Sequence, residues 1–477
     1  MQDSVPRFHA EAATAGGTLV KRPLSWRSSV CIISATGTSG RPPYTPEEKN
    51  MNALLPVFIR RVALPAVALT MLGASGGLVF AQQEPAASTP AAQAELDRRK
   101  KMGGYRPDRM KNPNLTSVPP KLTITPPEEI PLKNIQVPPG FQVELWAHGM
   151  PGARMMARAE NGTVFVGTRV IGRVYAVMDK GGQRTHKIIA EKLVQPNGVL
   201  VHKGTLYIAA INKVLRYDNI EANLENIPTP VDMTDAFKLP PDVHHNWKFL
   251  AFGPDNKIYI PVGAPCNLCE INPEVHGNIR RYNLDGSGME IVARGVRNSV
   301  GFDFHPKTGE LWFTDNGRDW AGEEGFEEEL NRVPKNAIGA NFGFPYCHAD
   351  GQPDPDLQKA NSCAGVQLPV VTLGAHAAAL GMRFYTGKMF PSEYQDAILV
   401  ARHGSWNKTE RNGYDIMMVK ATPDGKNAKV TPFMTGFMDK AKNTFWGRPT
   451  DVMLMPDGSV LVSDENMGAI YRVSYKR

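Results

Sequence analysis

The chain lacks two features that identify common classes of protein. It contains no Gly-x-Gly-x-x-Gly fingerprint, which argues against a bound nicotinamide cofactor. It also has no concentrated basic region: residues 1–81 hold 8 Lys/Arg and 4 Asp/Glu, and the remainder holds 46 against 43. The single basic cluster, Arg98–Lys101, lies in a Pro-rich stretch, so the sequence does not predict nucleic-acid binding.

Cysteine is scarce, with 5 residues in 477. Cys31 precedes a predicted cleavage site, which leaves Cys266, Cys269, Cys347 and Cys363, an even number that suits disulfides in an oxidising compartment. The simplest pairing joins Cys266 to Cys269 and Cys347 to Cys363. A redox-active Cys266–Cys269 pair and a four-cysteine zinc site are the alternatives, although the spacing of Cys347 and Cys363 does not form a second short zinc knuckle.

Residues 51–81 have the pattern of a cleaved signal peptide. Arg60-Arg61 precede an apolar stretch, and the small residue Ala81 ends it, so we expect cleavage before Gln82. We interpret Met51 as the true start and residues 1–50 as a mis-assigned extension. The sequence therefore predicts export to the periplasm.

A membrane anchor is the alternative for this segment, because the apolar run is about long enough to span a bilayer. Pro65 and the Gly73–Gly77 region favour a cleaved signal instead. No cysteine follows the cleavage site, so lipid attachment there is not expected. We predict no stable membrane span after processing.

The mature chain combines a lead-in with a repeated β-structure. Residues 82–135 are rich in Pro, Ala and charge and read as an extended lead-in with little core of its own, with helix expected only around Asp97–Met102. Beyond it, strand-like alternation of period two recurs with turn residues between the strands. Six such units begin at Met155, Gly198, Phe249, Val300, Met382 and Asp451.

Self-similar β-units separated by insertions are typical of blades arranged around an axis. We therefore predict that residues 136–477 form a six-bladed β-propeller; a β-sandwich is the alternative. The high content of Gly (44) and Pro (39) agrees with a turn-rich all-β fold. The longest insertions, 264–296, 316–341 and 402–449, are expected to build a pocket at one end of the channel.

Several of the repeated units carry polar residues of catalytic type near their strand ends. The order of these residues along the chain resembles that in the soluble quinoprotein glucose/sorbosone dehydrogenase family. The surrounding sequence is more similar to the sorbosone branch of that family than to the glucose enzymes. The matching stretches are His245 before Leu250-x-Phe-Gly-Pro-Asp-x-Lys-Ile-Tyr259, Arg297-Asn298, Asp315-Asn316-Gly317, Glu328-Glu329-Leu330-Asn331 and Arg448-x-x-Asp451. The resemblance implies a six-bladed propeller that holds pyrroloquinoline quinone and calcium.

By this resemblance, His245 is the general base that accepts the substrate's hydroxyl proton, since a neutral imidazole titrates in the useful range. The family's histidine is oriented by an aspartate after the next strand. The matching position here is Ala264, which leaves the orienting partner open. We expect His245 to be of the solvent-facing type and the neighbouring His244 to be an exposed histidine without a catalytic role.

The same resemblance assigns a set of cofactor ligands. Arg297 pairs with the reactive carbonyl of the quinone, because a guanidinium fork stabilises charge on a reduced oxygen. Asn298 donates to the cofactor, and Arg448 clamps one of its carboxylates. The family's next basic residue is replaced here by Thr450. Weaker candidates for completing the clamp are Arg402, His403 and Asn197.

Two calcium sites are also implied. One uses the main-chain carbonyls at Gly317 and Arg318, with the Asn316 side chain as a further contact. The other is a separate structural site at Glu328 and Glu329, for which a solvated acidic loop is the alternative.

These inferences predict a periplasmic dehydrogenase that oxidises a sugar, a sugar aldehyde such as sorbosone, or a polyol by hydride transfer to the quinone. Its electrons would pass to a respiratory acceptor, either a cytochrome or a membrane quinone. A calcium-dependent propeller lactonase or hydrolase, and a non-enzymatic propeller that acts as a binding module, are the two alternatives.

Overall fold

The computed structural model describes residues 89–476, which belong to one compact unit. The predictions for residues 1–50, for the signal peptide at 51–81 and for Cys31 lie outside this range. Within the described part of the chain, no helix has the length and the apolar character needed to cross a bilayer.

The lead-in contains a longer helix than the sequence indicated. Helix α1 spans Pro90–Lys101 and begins seven residues before the expected Asp97. Its start follows from local chemistry: the Thr89 hydroxyl caps the N–H of Ala92 at 3.2 Å, and a proline occupies the first turn. None of its residues is buried, so its position depends on contacts with the rest of the molecule. The other α-helix, α2, covers Thr234–Phe237, and short 3-10 turns cover Pro107–Arg109, Pro127–Glu129, Leu132–Asn134, Ile220–Ala222, Lys335–Ala337 and Ser392–Tyr394.

The strands of the first half of the chain follow the repeated units. After the lead-in, β1 spans Phe141–Ala147. The first blade is β2 (Met156–Arg158), β3 (Val164–Val166), β4 (Val174–Lys180) and β5 (Gln183–Ala190). The second blade is β6 (Gly198–His202), β7 (Thr205–Ala210), β8 (Lys213–Tyr217) and β9 (Val231–Asp232). The third blade is β10 (Ala251–Phe252), β11 (Ile258–Val262), β12 (Asn278–Tyr282) and β13 (Glu290–Arg294).

The second half continues the pattern. The fourth blade is β14 (Phe302–Phe304), β15 (Leu311–Asp315), β16 (Glu327–Arg332) and the outer strand β20 (Val371–Ala375). Three short strands lie between β16 and β20 in the chain and are not part of this blade: β17 (Ala340–Asn341), β18 (Cys347–His348) and β19 (Gln352–Pro353). The fifth blade is β21 (Ala379–Phe384), β22 (Ile398–Arg402), β23 (Asp415–Lys420) and β24 (Lys429–Met434). After β25 (Met438–Asp439) and β26 (Thr444–Phe445), the last blade has β27 (Pro449–Leu454), β28 (Val460–Asp464) and β29 (Ala469–Tyr475).

These strands form six larger sheets, each with four antiparallel strands, and two small two-stranded sheets, β18-β19 and β25-β26. The six larger sheets confirm the six-bladed propeller. Four blades use consecutive strands, and the fourth blade in chain order takes β20 as its outer strand. Strand β17 adds to the third blade in parallel with β13. The sixth blade has the order β1-β29-β28-β27, with Phe141 paired to Tyr475. The strand before the first repeat therefore completes the last blade and closes the ring by joining the two ends of the propeller.

The hydrophobic core is divided among the faces of neighbouring blades. One cluster, for example, joins Phe165 of the first blade to Ile208 of the second, and another joins Phe249 of the third to Phe313 of the fourth. Comparable clusters fill the other blade-to-blade contacts. This distribution explains the strand pattern, because a blade packed on both faces needs apolar residues on both sides of its inner strands.

The four cysteines of the described range form the two local disulfides, Cys266–Cys269 and Cys347–Cys363. The simplest pairing is confirmed. The zinc alternative is wrong, because the four sulfur atoms are bonded to one another and hold no ligand position for a metal.

Candidate active site

A polar cavity of about 300 Å³ lies where the innermost strands of the blades begin. Residues just ahead of these strands converge on it from the first, third, fourth and last blades, namely Arg154, His245, Arg297 and Arg448. The convergence follows from the fold, because the first strand of every blade faces the central channel and the loop that enters it must end there. The structure thus brings together residues that are distant in the sequence.

His245 is held by the main chain beside it. Its Nδ1 lies 3.1 Å from the carbonyl oxygen of Ala264, and its backbone adopts a left-handed φ of 50°. Gly263 makes this close approach possible, because a Cβ there would overlap the carbonyl of His245. Burial, followed by the nearby His244 and Arg297, holds the pKa of His245 well below its usual range. The ring is therefore neutral, with Nδ1 donating to Ala264, and its Nε2 makes no hydrogen bond within residues 89–476.

The environments of the two adjacent histidines differ from those expected from the sequence. His245 is only 6% exposed, so it is a buried residue and not one of the solvent-facing type. His244 also lines the cavity, and its ring centroid lies 3.9 Å from that of His245. Burial, followed by the charge of Arg297, lowers the pKa of His244 to about 3. The expectation of an exposed His244 was wrong, because the loop between α2 and β10 brings both rings to the lining of the cavity.

Arg297 and Asn298 lie in the connection between β13 and β14. Both main-chain N–H groups donate to the Asp315 carboxylate, at 2.8 and 2.6 Å. The Arg297 side chain donates from Nη1 to the carbonyls of Asn316 and Gly317, at 3.1 and 2.9 Å. Its Nε and Nη2 donate to the carbonyl and the side-chain oxygen of Asn267, at 3.0 and 2.8 Å. These bonds fix a buried positive charge in the cavity wall.

The two acidic residues predicted as a calcium pair point to opposite sides of β16, as alternation along a strand requires. Glu328 lines the cavity and accepts hydrogen bonds from the main-chain N–H groups of Ala378 and Gly317. These hydrogen bonds lower its pKa, but burial has the larger effect and raises the pKa to about 8. Glu329 lies on the other side, opposite Asp315 in the strand register. Burial and then the charge of Asp315 raise the pKa of Glu329 to about 8.

Another part of the cavity wall is rich in arginine. Arg154, Arg169 and Arg448 line it, and Arg154 is paired with the buried Glu465 at 2.7 Å. Burial disfavours ionisation of Glu465, but Arg154 and the hydrogen bond from His403 outweigh it and hold its pKa well below the usual range. Within the described residues, Nη2 of Arg154 is buried and has no hydrogen-bond partner. Three guanidinium groups around one carboxylate leave this wall positively charged.

Arg448 is held over two aromatic rings, with its guanidinium carbon 5.9 Å from the ring centre of Tyr414 and 5.7 Å from that of Phe445. It donates to the carbonyls of His403 and Gly404 at 3.2 and 2.9 Å. Burial lowers its pKa to about 10. His403 also lines the cavity, whereas the side chain of Thr450 hydrogen-bonds to the carbonyl of Arg448 and adds no cation.

Four of the predicted site residues do not line the cavity, and Glu329, described above, is one of them. Asn197 supports it indirectly, because its Oδ1 accepts from Nε of Arg154 at 2.6 Å. Arg402 is paired across the sheet with Asp415 at 2.6 Å. The Arg318 side chain is fully buried in pairs with Asp354 and Asp356. Asn298, Asn316 and Gly317 do line the cavity, together with His245, Arg297, Arg448 and Glu328.

Sequence reasoning missed Arg154, Arg169, Trp247, Asp319 and Asn407, all of which line the cavity. Arg154 could have been found from the repeat pattern. It stands just before the first strand of the first blade, as Arg448 stands just before the first strand of the last blade. The others lie in loops of irregular length, where no repeat position relates them to the site.

The fold and site are those of a propeller with a buried, cationic cavity and a neutral histidine. Comparison with known families agrees. The model described as glucose/sorbosone dehydrogenase matches residues 232–405, which include His245 and Arg297, and the one described as TrAA12-like matches residues 352–476. An uncharacterised protein of Borreliella burgdorferi is 32% identical over 361 residues, which cover 73% of this chain and 93% of that protein. The chain belongs to the glucose/sorbosone dehydrogenase family.

Solved structures share the fold at low sequence identity. The calcium structure of a Trichoderma reesei carbohydrate-active enzyme of family AA12 gives a TM-score of 0.61 at 18% identity, covering 76% of this chain and 99% of that one. The holo pyrroloquinoline-quinone domain of pyranose dehydrogenase from Coprinopsis cinerea gives 0.57 at 18%, covering 71% and 97%. The apo aldose sugar dehydrogenase of Escherichia coli gives 0.55 at 18%, covering 70% and 100%.

Proposed function

We propose that this protein is a quinone-dependent dehydrogenase that oxidises a sugar, a sugar aldehyde or a polyol and uses pyrroloquinoline quinone as its cofactor. One observation carries the proposal: a neutral histidine, His245, shares a buried cavity with a wall of three arginines whose charge the single carboxylate Glu465 balances only in part. The names of the structural neighbours from Coprinopsis cinerea and Streptomyces coelicolor, both described with this quinone, support the choice of cofactor.

The donor set of the cavity fits a flat, carboxylated quinone. Such a ligand needs several positively charged or N–H donors in a confined space. Arg169 and Arg448 line the cavity, and Nη2 of Arg154 is a buried N–H group with no partner in the described range. Nδ2 of Asn407, another residue of the lining, is likewise buried without a partner there. These residues would hold the carboxylates of the cofactor.

The side chains divide the work of the reaction. The quinone, when bound, would supply an acceptor for the hydride that leaves the substrate carbon. His245 accepts the hydroxyl proton at Nε2, because its Nδ1 proton is committed to the Ala264 carbonyl. Arg297 presents a fixed positive charge at the wall, where it stabilises negative charge that develops on an oxygen nearby. The buried surroundings exclude water and strengthen both effects.

Calcium does not fit the side chains as they lie. Calcium takes roughly six to eight oxygen ligands, but the carbonyls of Asn316 and Gly317 accept hydrogen bonds from the Arg297 guanidinium. Both carboxylate oxygens of Glu328 accept main-chain N–H groups. Residues 89–476 contain no group of three or more His, Cys, Asp or Glu side chains that could hold a metal ion. We therefore assign calcium no role in the reaction.

The cell compartment and the acceptor complete the proposal. The two disulfides support an oxidising compartment, and the signal-like segment at 51–81 supports export to the periplasm. We propose that a respiratory acceptor, either a cytochrome or a membrane quinone, takes the electrons from the reduced enzyme. The sorbosone-like substrate class rests on the resemblance of sequence motifs alone.

The test is reconstitution of the purified protein with pyrroloquinoline quinone, with and without calcium. The visible absorbance spectrum is recorded before and after addition of aldoses, sugar aldehydes and polyols. We expect stoichiometric quinone binding and a spectral change of the bound quinone with at least one of these substrates. Hydrolysis of a lactone without the quinone would point to the hydrolase alternative, and absence of both reactions would point to a binding module.

Arg448 offers a matched pair of variants for the cofactor site. Arg448→Gln should weaken quinone binding, because it removes a cavity-lining cation. Arg411→Gln is the control, because Arg411 stacks on the same Phe445 ring at 5.2 Å without lining the cavity. Equal loss of quinone affinity in both variants would show that ring packing, and not the charge in the cavity, was responsible.

A further inference from the structure

We infer that the segment Pro90–Val118, called the strap below, is a wall of the active-site cavity that determines specificity and restricts the enzyme to substrates of about monosaccharide size. The inference deepens the proposed function and rests on it. The strap lies outside the six repeats, yet it contributes Arg98, Ser117 and Val118 to the lining of the cavity that contains His245. Part of the site is therefore built by a segment that precedes the propeller in the sequence.

The strap docks first on the small loop closed by the Cys266–Cys269 disulfide. The carbonyl of Met102 accepts the main-chain N–H groups of Asn267 and Leu268, at 2.9 and 3.1 Å. The carbonyl of Gly103 accepts Nδ2 of Asn267 at 2.9 Å. The Met102 side chain packs against the apolar cluster that contains Ala264 and Leu268. The disulfide closes the loop that carries these donors.

Asn267 links the strap directly to the proposed catalytic charge. Its Oδ1 accepts Nη2 of Arg297 at 2.8 Å, and its main-chain carbonyl accepts Nε at 3.0 Å. The Nδ2 atom of the same amide binds the strap at Gly103. The strap and the guanidinium thus share one hydrogen-bonded support, so displacement of the strap removes a restraint on Arg297.

A second anchor uses charge. Asp356 accepts from both Arg106 and Arg109 of the strap, at 2.7 and 3.0 Å. The same carboxylate is paired with the buried Arg318 at 2.6 Å. Arg318 in turn donates to the strap carbonyl of Gly104 at 3.2 Å. A network of three arginines around one carboxylate holds the segment more firmly than a single surface ion pair would.

A third set of contacts carries the strap onto loops of the fourth and fifth blades. The ring of Tyr105 lies 4.8 Å from that of Trp320, and the guanidinium of Arg99 lies 5.3 Å from the same ring. Further along, the N–H of Lys111 donates to Glu323 at 2.8 Å and that of Asn112 to Thr409 at 3.1 Å. The strap therefore crosses loops from the third blade to the fifth and closes one side of the cavity.

The closed side limits the size of the substrate. A cavity of about 300 Å³ must accommodate both the quinone and the substrate if the proposed function is correct. That volume is at the small end of the range for ligand pockets, so a bound quinone leaves little free space, and a longer sugar chain directed toward the strap would meet Arg98, Ser117 or Val118. Without the strap, the same propeller site would be open on that side and would accept longer sugars.

The experiment uses a steric wedge. In Gly103→Ala, a Cβ would overlap the carbonyl oxygen of Leu268, and the residue keeps an unfavourable positive φ of 76°. Gly181→Ala is the matched control, with a similar φ of 64° and no atom within 4 Å of the new Cβ. Three quantities are measured: the rate of tryptic cleavage at the basic cluster Arg98–Lys101, the dissociation rate of bound quinone, and the ratio of kcat/KM for an oligosaccharide to that for its monosaccharide.

We expect Gly103→Ala to be cleaved faster, to release the quinone faster and to raise the oligosaccharide-to-monosaccharide ratio by about tenfold or more, the range that a change in pocket size produces. Gly181→Ala should match the wild type in all three measurements. Faster cleavage with an unchanged ratio and unchanged quinone release would overturn the inference. A wild-type protein that binds no quinone and oxidises no sugar would instead refute the proposed function.

A second variant is needed because Gly103→Ala could misfold or could release the strap incompletely. Substituting both Arg106→Ala and Arg109→Ala removes the charge anchor, and the two side chains are 38% and 25% exposed, so the propeller core is not disturbed. The same three changes are expected with the same signs. Faster tryptic cleavage of this variant would show that the strap has been released. If the released variant keeps the wild-type ratio of kcat/KM for the two sugars, the strap is not a wall of the site.

Discussion

The imidazole Nδ1 of His245 lies 3.1 Å from the main-chain carbonyl of Ala264, at the position where the sequence had suggested that an orienting group was lost. The main chain thus supplies the hydrogen-bond acceptor that the alanine side chain cannot. A carbonyl orients the ring and selects the tautomer with a proton on Nδ1, but it carries no charge to stabilise an imidazolium. Three of the predictions below follow from this site and its neighbours.

The first prediction concerns the two histidines. His245→Gln should lower kcat by roughly 10²–10⁴, the range for loss of a general base. His244→Gln should mainly affect quinone or substrate binding, because His244 lines the cavity but has no hydrogen bond to orient its ring within residues 89–476. Single-turnover reduction of the bound quinone measures both effects. A larger loss of rate in the His244 variant would exchange the roles of the two residues.

The second prediction concerns the acid side of the pH profile. Because burial holds the pKa of His245 well below its usual value of about 6.5, the imidazole stays neutral and able to accept a proton as the pH falls through 6.5. We expect kcat/KM to decline only at lower pH. A fall in kcat/KM centred near pH 6.5 in the reconstituted enzyme would contradict the buried environment of the base.

The third prediction concerns Arg297. Arg297→Lys keeps a positive charge but cannot donate simultaneously to Asn267, Asn316 and Gly317, so turnover should fall by about 10²–10³ while the fold is retained. Arg402→Lys is the control, since Arg402 is a partly buried, ion-paired arginine away from the cavity. It should lose some stability and little turnover. Circular dichroism and steady-state kinetics separate the two effects.

The fourth prediction concerns the buried pair Asp315 and Glu329. Burial raises their pKa values to about 6 and about 8, above the values of an unfolded chain. Between the unfolded and folded pKa values the folded state binds more protons, so the free energy of unfolding decreases as the pH rises through this window. Stability contributed by the protonated pair is complete below about pH 4 and is lost by about pH 8.

Glu329→Gln should remove much of this dependence, because the amide is neutral at every pH. We expect the variant to exceed the wild type in free energy of unfolding at pH 9 by on the order of 1–3 kcal/mol and to differ little at pH 5. The side-chain oxygen of Asn331, buried without a partner in the described range, can accept the new amide N–H after rotation of the Asn331 amide. Thermal melts across pH 5–9 measure the difference, and parallel curves for both proteins would contradict it.

The fifth prediction concerns the segment outside the described residues. Cleavage should occur after Ala81, because a positive region, an apolar run and small residues follow in the order of a signal peptide. Mass spectrometry of the protein recovered from the periplasm gives the mature N-terminus. A mature chain that still contains Arg60 would contradict cleavage, and it would favour the membrane anchor.

The repeats were sufficient to predict the propeller. Each of the six units begins near the innermost strand of one blade and runs into the second strand, which is almost wholly buried and has the most continuous apolar pattern. The strand β1 was not recognised as part of a blade, since its partner β29 lies at the other end of the chain. No local pattern indicates a pairing between such distant segments.

The sequence by itself determined the number of blades, the local disulfides and the candidates His245, Arg297 and Arg448, because each depends on short-range periodicity, short spacing or a motif. Only the tertiary structure decided which polar residues meet. It brought His244 and the buried His245 together at the cavity, turned Glu328 toward the cavity and Glu329 away from it, and brought the strap over the site. These outcomes depend on long-range packing and on the direction in which a side chain leaves its strand. A residue's neighbours in sequence do not specify either of them.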